Sequence, residues 1–175
     1  LRLNYLNLLM IVFLSLVSCG LQTTFWFQLF GALPGRHLWL NLVLYIILYR
    51  KPVEGIFTIY FLALFIKPFT AFPIGYLWLV LLSVFAVVYY AKKRLFWPTL
   101  KYFIIASLGT FLMFQLSFYA ISHWLEPNPA NFSFFHFFFE LVFTAITSAP
   151  VYFLASWADK VTQKETIPES GVSEA

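Results

Sequence analysis

Long apolar runs constrain this chain more than any other feature. Stretches such as Leu77-Trp78-Leu79-Val80-Leu81-Leu82 are apolar whichever way the backbone turns. A helix needs about 20 apolar residues to cross a bilayer. Six runs bounded by charge, Pro or Gly are candidates: Leu3 to Phe30, Leu38 to Tyr49, Gly55 to Ala71, Ile74 to Ala91, Thr99 to Leu125 and Phe134 to Trp157. Strands of an outer-membrane barrel would alternate apolar and polar residues, and these runs do not. Composition agrees. Of 175 residues, 62% are hydrophobic and 10% charged, against about 45–50% and 25% in a soluble domain. A soluble fold of this size keeps too much surface in water to hide so much Leu, Phe, Tyr and Trp. The same counts exclude a disordered chain, and the single cysteine, Cys19, excludes a disulfide scaffold.

The expected fold is therefore all-α: a polytopic membrane bundle of six transmembrane helices over residues 1–158. The polar stretch over residues 159–175 is expected to be a disordered cytoplasmic tail. The N-terminal run is read as a retained helix. It is too long for a signal peptide and lacks a basic leader and a small-residue cleavage site.

Cytoplasmic loops carry excess Lys and Arg. Six helices with the N-terminus inside put Arg2, Arg50, Lys51, Lys92, Lys93, Arg94, Lys101, Lys160 and Lys164 on the inner side. Only Arg36 and Lys67 fall outside. Both termini are expected to be cytoplasmic. The second run spans only about 18 Å at 1.5 Å per residue. Folding the second and third runs as a re-entrant pair would bury Arg50, Lys51 and Glu54 at mid-membrane, at about 2.5–3.5 kcal/mol each. A short crossing in a locally thinned bilayer costs less, so both are read as full but short crossings.

Catalysis needs titratable groups placed together, and few exist here. His37, His123 and His136 all fall near the outer interface, with no metal-ligand spacing. Cys19 reads as buried filler, and no glycine-rich phosphate loop is present. No catalytic residue, metal or cofactor is expected. Two charges do sit inside helices, Lys67 and Glu140, both in the outer half. Either Lys67 snorkels to the outer surface and Glu140 only hydrogen-bonds a neighbour, or the two face the bundle interior and pair, with Asn41, Gln22 and Gln115 lining the same ligand or partner pocket. Arg50, Lys51, Lys92, Lys93 and Arg94 are expected to meet anionic lipid or cytoplasmic partners, not nucleic acid. Pro150 is expected to kink the sixth helix, with Thr147 or Ser148 serving the freed carbonyls. The Phe-dense start of that helix reads as an interfacial belt or a partner contact.

Several local features occur together. Leu21-Gln22 sits near the outer end of the first helix, before a turn at Pro34. A short Leu-rich helix, Leu38 to Tyr49, ends at Arg50-Lys51-Pro52. Val53-Glu54-Gly55 opens the third helix and Gly75 the fourth. With the length, the six-helix plan and the inside termini, the chain resembles the bacterial rod-shape-determining MreD family. The likeness covers most of residues 1–157 and is strongest over residues 20–95. It departs at Leu64-Phe65-Ile66-Lys67-Pro68, where many MreD-like sequences carry a Gly and an acid. The resemblance implies a non-enzymatic scaffold of the rod (elongasome) complex in the inner membrane, supporting peptidoglycan synthesis and cell shape. Its implied partners are a single-pass MreC-like protein, MreB, and RodA with its transpeptidase. MreD proteins are also similar in fold to the S components of energy-coupling-factor transporters. The alternative is thus a substrate-binding membrane subunit for a small molecule or vitamin.

Overall fold

The computed structural model describes residues 5–26, 28, 37–70, 73–95, 99–125 and 132–164. Every regular element among them is helical. α1 is Tyr5–Gly20, running on into a π-helical stretch, Leu21–Phe25. α2 is Leu38–Tyr49, α3 is Pro52–Ile66 with a 3-10 turn at Lys67–Phe69, and α4 is Ile74–Leu95. α5 is Leu100–Leu125 and α6 is Phe134–Val161. Among the described residues, five stretches are long and apolar enough to cross a membrane: Tyr5–Thr24, Pro52–Phe69, Ile74–Arg94, Leu100–Leu125 and Phe134–Val161. The sixth helix, α2, has 12 residues and falls short of that length.

α2 is the centre of the molecule. The other five helices form a closed ring in the order α1, α3, α4, α5, α6 and back to α1, and α2 touches all five. Every residue from Trp39 to Tyr49 is buried. A helix that is apolar on all sides satisfies itself by being wrapped. The expectation was a short crossing in a locally thinned bilayer; the structure surrounds this helix with the other five instead. Sheathed in protein, α2 needs no thinned bilayer, and its 12 residues need not match the hydrocarbon thickness.

A helix end leaves orphan N–H and C=O groups, and α2 finds partners for them inside the protein. The Leu38 N–H donates to Gln22 Oε1 (3.3 Å), and the Leu40 N–H to the His37 carbonyl. At the other end the Arg50 N–H donates to the Ile46 carbonyl and Lys92 Nζ to the Ile47 carbonyl (3.2 Å). Both are cations at a helix C-terminus, where the dipole favours them.

Ring helices pack through small residues, as membrane helices do. α1 buries Asn7, Ile11, Ser15 and Cys19 at a spacing of four, and α6 buries Thr144, Ser148, Ala155 and Ala158. α3 comes close enough at Gly55 that a Cβ there would sit 3.3 Å from Phe85 of α4. α6 is helical on both sides of Pro150. The Thr147 hydroxyl donates to the Phe143 carbonyl and the Ser148 hydroxyl to the Ala145 carbonyl (both 2.7 Å). Neither serves Ile146, whose helical donor the proline removes.

The last helix runs past the expected boundary. Asp159 and Thr162 are buried, so the sequence from 159 is not all tail. α6 closes with Lys164 N donating to the Asp159 carbonyl and Gln163 N to the Lys160 carbonyl. That is a Schellman-type cap, with Gln163 (φ 49°) in the left-handed position. The rest of the expected tail, residues 165–175, lies outside the described residues, as does the expected turn at Pro34.

Candidate functional site: polar groups at the two ends of the buried helix

Side-chain bonds fix which helix ends meet. Asn7 opens α1, Arg50 follows α2, and Asp159 is near the end of α6. All three come together. The guanidinium Nη2 of Arg50 pairs with Asp159 Oδ1 and donates to Asn7 Oδ1 (2.9 Å). Asn7 Nδ2 donates to Asp159 Oδ1 and to Thr162 Oγ1 (both 2.8 Å). Tyr45 OH donates to Asp159 Oδ2 (2.7 Å). Arg50 is 2% exposed and Asp159 3%. A buried charge pair is tolerable only when its remaining lone pairs and protons are also bonded. Here both carboxylate oxygens have partners beside the guanidinium, whereas Arg50 Nη1 is buried with no hydrogen-bond partner. Just outside this cluster, Lys164 at the α6 cap pairs with Glu54 in the first turn of α3.

Arg50 was expected to face lipid or a cytoplasmic partner, and the structure turns it inward instead. It follows the C-terminus of the wrapped helix, so its side chain enters the interior with α2. Lys92 is half-buried and reaches back to the end of α2. Lys51, Lys93 and Arg94 are exposed. The Lys93 ammonium lies 4.9 Å over the Tyr89 ring, and the Arg94 guanidinium 5.3 Å over Tyr90.

The opposite end holds the expected outer-half group, and only part of it assembles. Gln115 Nε2 on α5 donates to Glu140 Oε2 on α6 (2.7 Å). Asn41 Nδ2 on α2 donates to the Thr144 carbonyl (3.4 Å) and Thr147 Oγ1 (3.3 Å), one to two turns along α6 from Glu140. Gln22 caps the start of α2. Lys67 does not join them. Among the described residues the ion pairs are Arg50–Asp159 and Lys164–Glu54, so the expected Lys67–Glu140 pair is not formed. Lys67 begins the 3-10 turn after α3, at the end of its helix, whereas Glu140 turns toward α5.

His37, just ahead of α2, packs its ring against Trp39 and Phe114, with centroids 5.5 and 4.8 Å away. The ring is half-buried, and its covered Nδ1 has no hydrogen-bond partner. Burial pushes its pKa down to about 4. Among the described residues no three His, Cys, Asp or Glu side chains gather as a metal site.

Sequence reasoning missed Asp159, Asn7, Tyr45 and Thr162. The available signal was complementarity. Asn7 and Asp159 are polar residues near the outermost turns of two apolar helices whose ends lie on the same side as Arg50. Comparison with family models, with curated proteins and with solved structures gives no match.

Proposed function

We propose that this chain is a multi-pass inner-membrane protein acting as a non-enzymatic scaffold, in the manner of the MreD family it resembles. The end carrying Arg50, Lys51, Lys92–Arg94 and Lys160 faces the cytoplasm, as the excess of cations there favours. Its partners are a single-pass MreC-like helix and, through it, the MreB and RodA–transpeptidase machinery of cell-wall elongation.

One observation carries this reading: the interior polar groups are used to hold helices to one another. Asn7, Tyr45, Arg50, Asp159 and Thr162 bond mutually across α1, α2 and α6. Gln115, Glu140 and Asn41 tie α5, α6 and α2. Outward, the helices present large apolar side chains such as Leu9, Phe13, Phe57, Phe138 and Phe153. A body built this way works by contact in the membrane plane. Van der Waals packing of these side chains against a partner helix is the interaction such a surface offers.

Affinity co-purification from native membranes tests the proposal. Recovery of an MreC-like protein and peptidoglycan-synthesis enzymes is the expected result. Recovery of ATPase subunits instead overturns the scaffold in favour of a small-molecule carrier.

A further inference from the structure

Among the described residues, the charges at the Arg50 end are not balanced where they face outward. Its two described acids are both engaged internally, Asp159 by Arg50 and Glu54 by Lys164. Lys51, Lys93, Arg94, Lys101 and Lys160 are all exposed. Three of them, Lys51, Lys93 and Arg94, fall where α4 outruns its neighbours beside the junction of α2 and α3. The Gly55–Phe85 approach sets the first turn of α3 beside Phe85. α4 continues ten residues beyond Phe85 to Leu95, about 15 Å, so its last turns overhang the junction between α2 and α3. Phe85 and Tyr89 stack along that overhang with rings 9° from parallel, and Lys93 sits over Tyr89. Lys92 ties the overhang back to α2. Lys51 caps the start of α3 at the junction, and Arg94 lies over Tyr90. On the exposed face of the first turns of α3, Val53 and Phe57 are apolar (52% and 63% exposed).

We infer that this overhung junction is a docking surface for anionic phospholipid, with the headgroup phosphate between Lys51, Lys93 and Arg94 and an acyl chain along Val53 and Phe57. The inference stands whichever protein partner the scaffold binds. Cations near a membrane surface attract acidic headgroups, each contributing on the order of a fivefold gain in affinity. Here the aromatic rings hold two of them in place, which lowers the entropy lost when a headgroup binds. Arg50 and Lys92, the other members of the basic run, are spent on α6 and α2. The surface is therefore narrower than the sequence suggests.

The test uses the full chain in phosphatidylcholine bilayers, with spin-labelled phosphatidylglycerol and spin-labelled phosphatidylcholine as probes of motionally restricted lipid. Phosphatidylglycerol should be preferred, and raising salt should shrink the preference. Each of K51Q, K93Q and R94Q should weaken it by about fivefold or less. K67Q, at the opposite end, should leave it unchanged. Equal retention of the two lipids, a salt-independent preference, or a K51Q/K93Q/R94Q variant that keeps the full preference each overturns the inference. The salt series is run on the unaltered chain, so the outcome does not depend on the variants folding.

Discussion

Arg50 and Asp159 stand 109 residues apart and meet as a buried ion pair at one end of α2. The pair joins the helix at the centre to the last helix of the ring, and Asn7 bridges both to the first.

Removing one partner leaves an uncompensated charge in the interior, at about 3–5 kcal/mol. Asp159→Leu or Arg50→Met alone should sharply lower the thermal midpoint of the detergent-solubilised chain. The double substitution should recover part of the loss: it removes the lone buried charge but leaves the Tyr45 hydroxyl and Asn7 Oδ1 without the partners they have now. Tyr45→Phe deletes one donor and should cost about 0.5–1.5 kcal/mol.

Lys67 and Glu140 should behave independently. In a double-mutant cycle of unfolding free energies their coupling should be near zero. Gln115 and Glu140, bonded at 2.7 Å, should couple by about 0.6 kcal/mol and at most about 1.7 kcal/mol, the range for membrane hydrogen bonds.

Gln163 holds φ 49° at the α6 cap. A left-handed residue with a Cβ costs about 1–2 kcal/mol that glycine avoids. Gln163→Gly should raise the melting temperature while Lys164 keeps its bond to Glu54. An unchanged or lower midpoint counts against the cap.

Protonating His37 should destabilise the fold. Its pKa is lowered to about 4 in the folded chain from about 6.5 unfolded. The unfolded state therefore binds more protons between these values, and stability present above pH 6.5 is lost as pH falls toward 4. His37→Phe should flatten that part of a melting-temperature profile.

The six helices are legible in the sequence because charge or proline closes each apolar run, as at Arg50-Lys51-Pro52 or Pro73. What the runs do not carry is azimuth. Leu38–Tyr49 reads like any lipid-facing segment, and only its 12-residue length hinted that protein surrounds it. Lys67 and Glu140 share a depth, but the ring order turns Glu140 to α5 and leaves Lys67 at a helix end. Asp159 falls where the composition becomes polar, and a composition window cannot see a carboxylate 109 residues away from its guanidinium. Gln115 and Asn41 were found because polar side chains are scarce in such helices, which makes each one conspicuous.

The enclosure of α2 is the central claim, and methyl NMR of the chain in nanodiscs containing doxyl-labelled lipid tests it directly. The methyls of Leu42, Val43, Leu44, Ile46, Ile47 and Leu48, each at most 2% exposed, should be the least broadened. Those of Leu9, Leu79, Leu82 and Ile105, each at least 49% exposed, should broaden strongly. Broadening of α2 methyls at every third or fourth position, as strong as on α4, would mean that α2 has a lipid-facing side and that the ring of five helices is not closed around it.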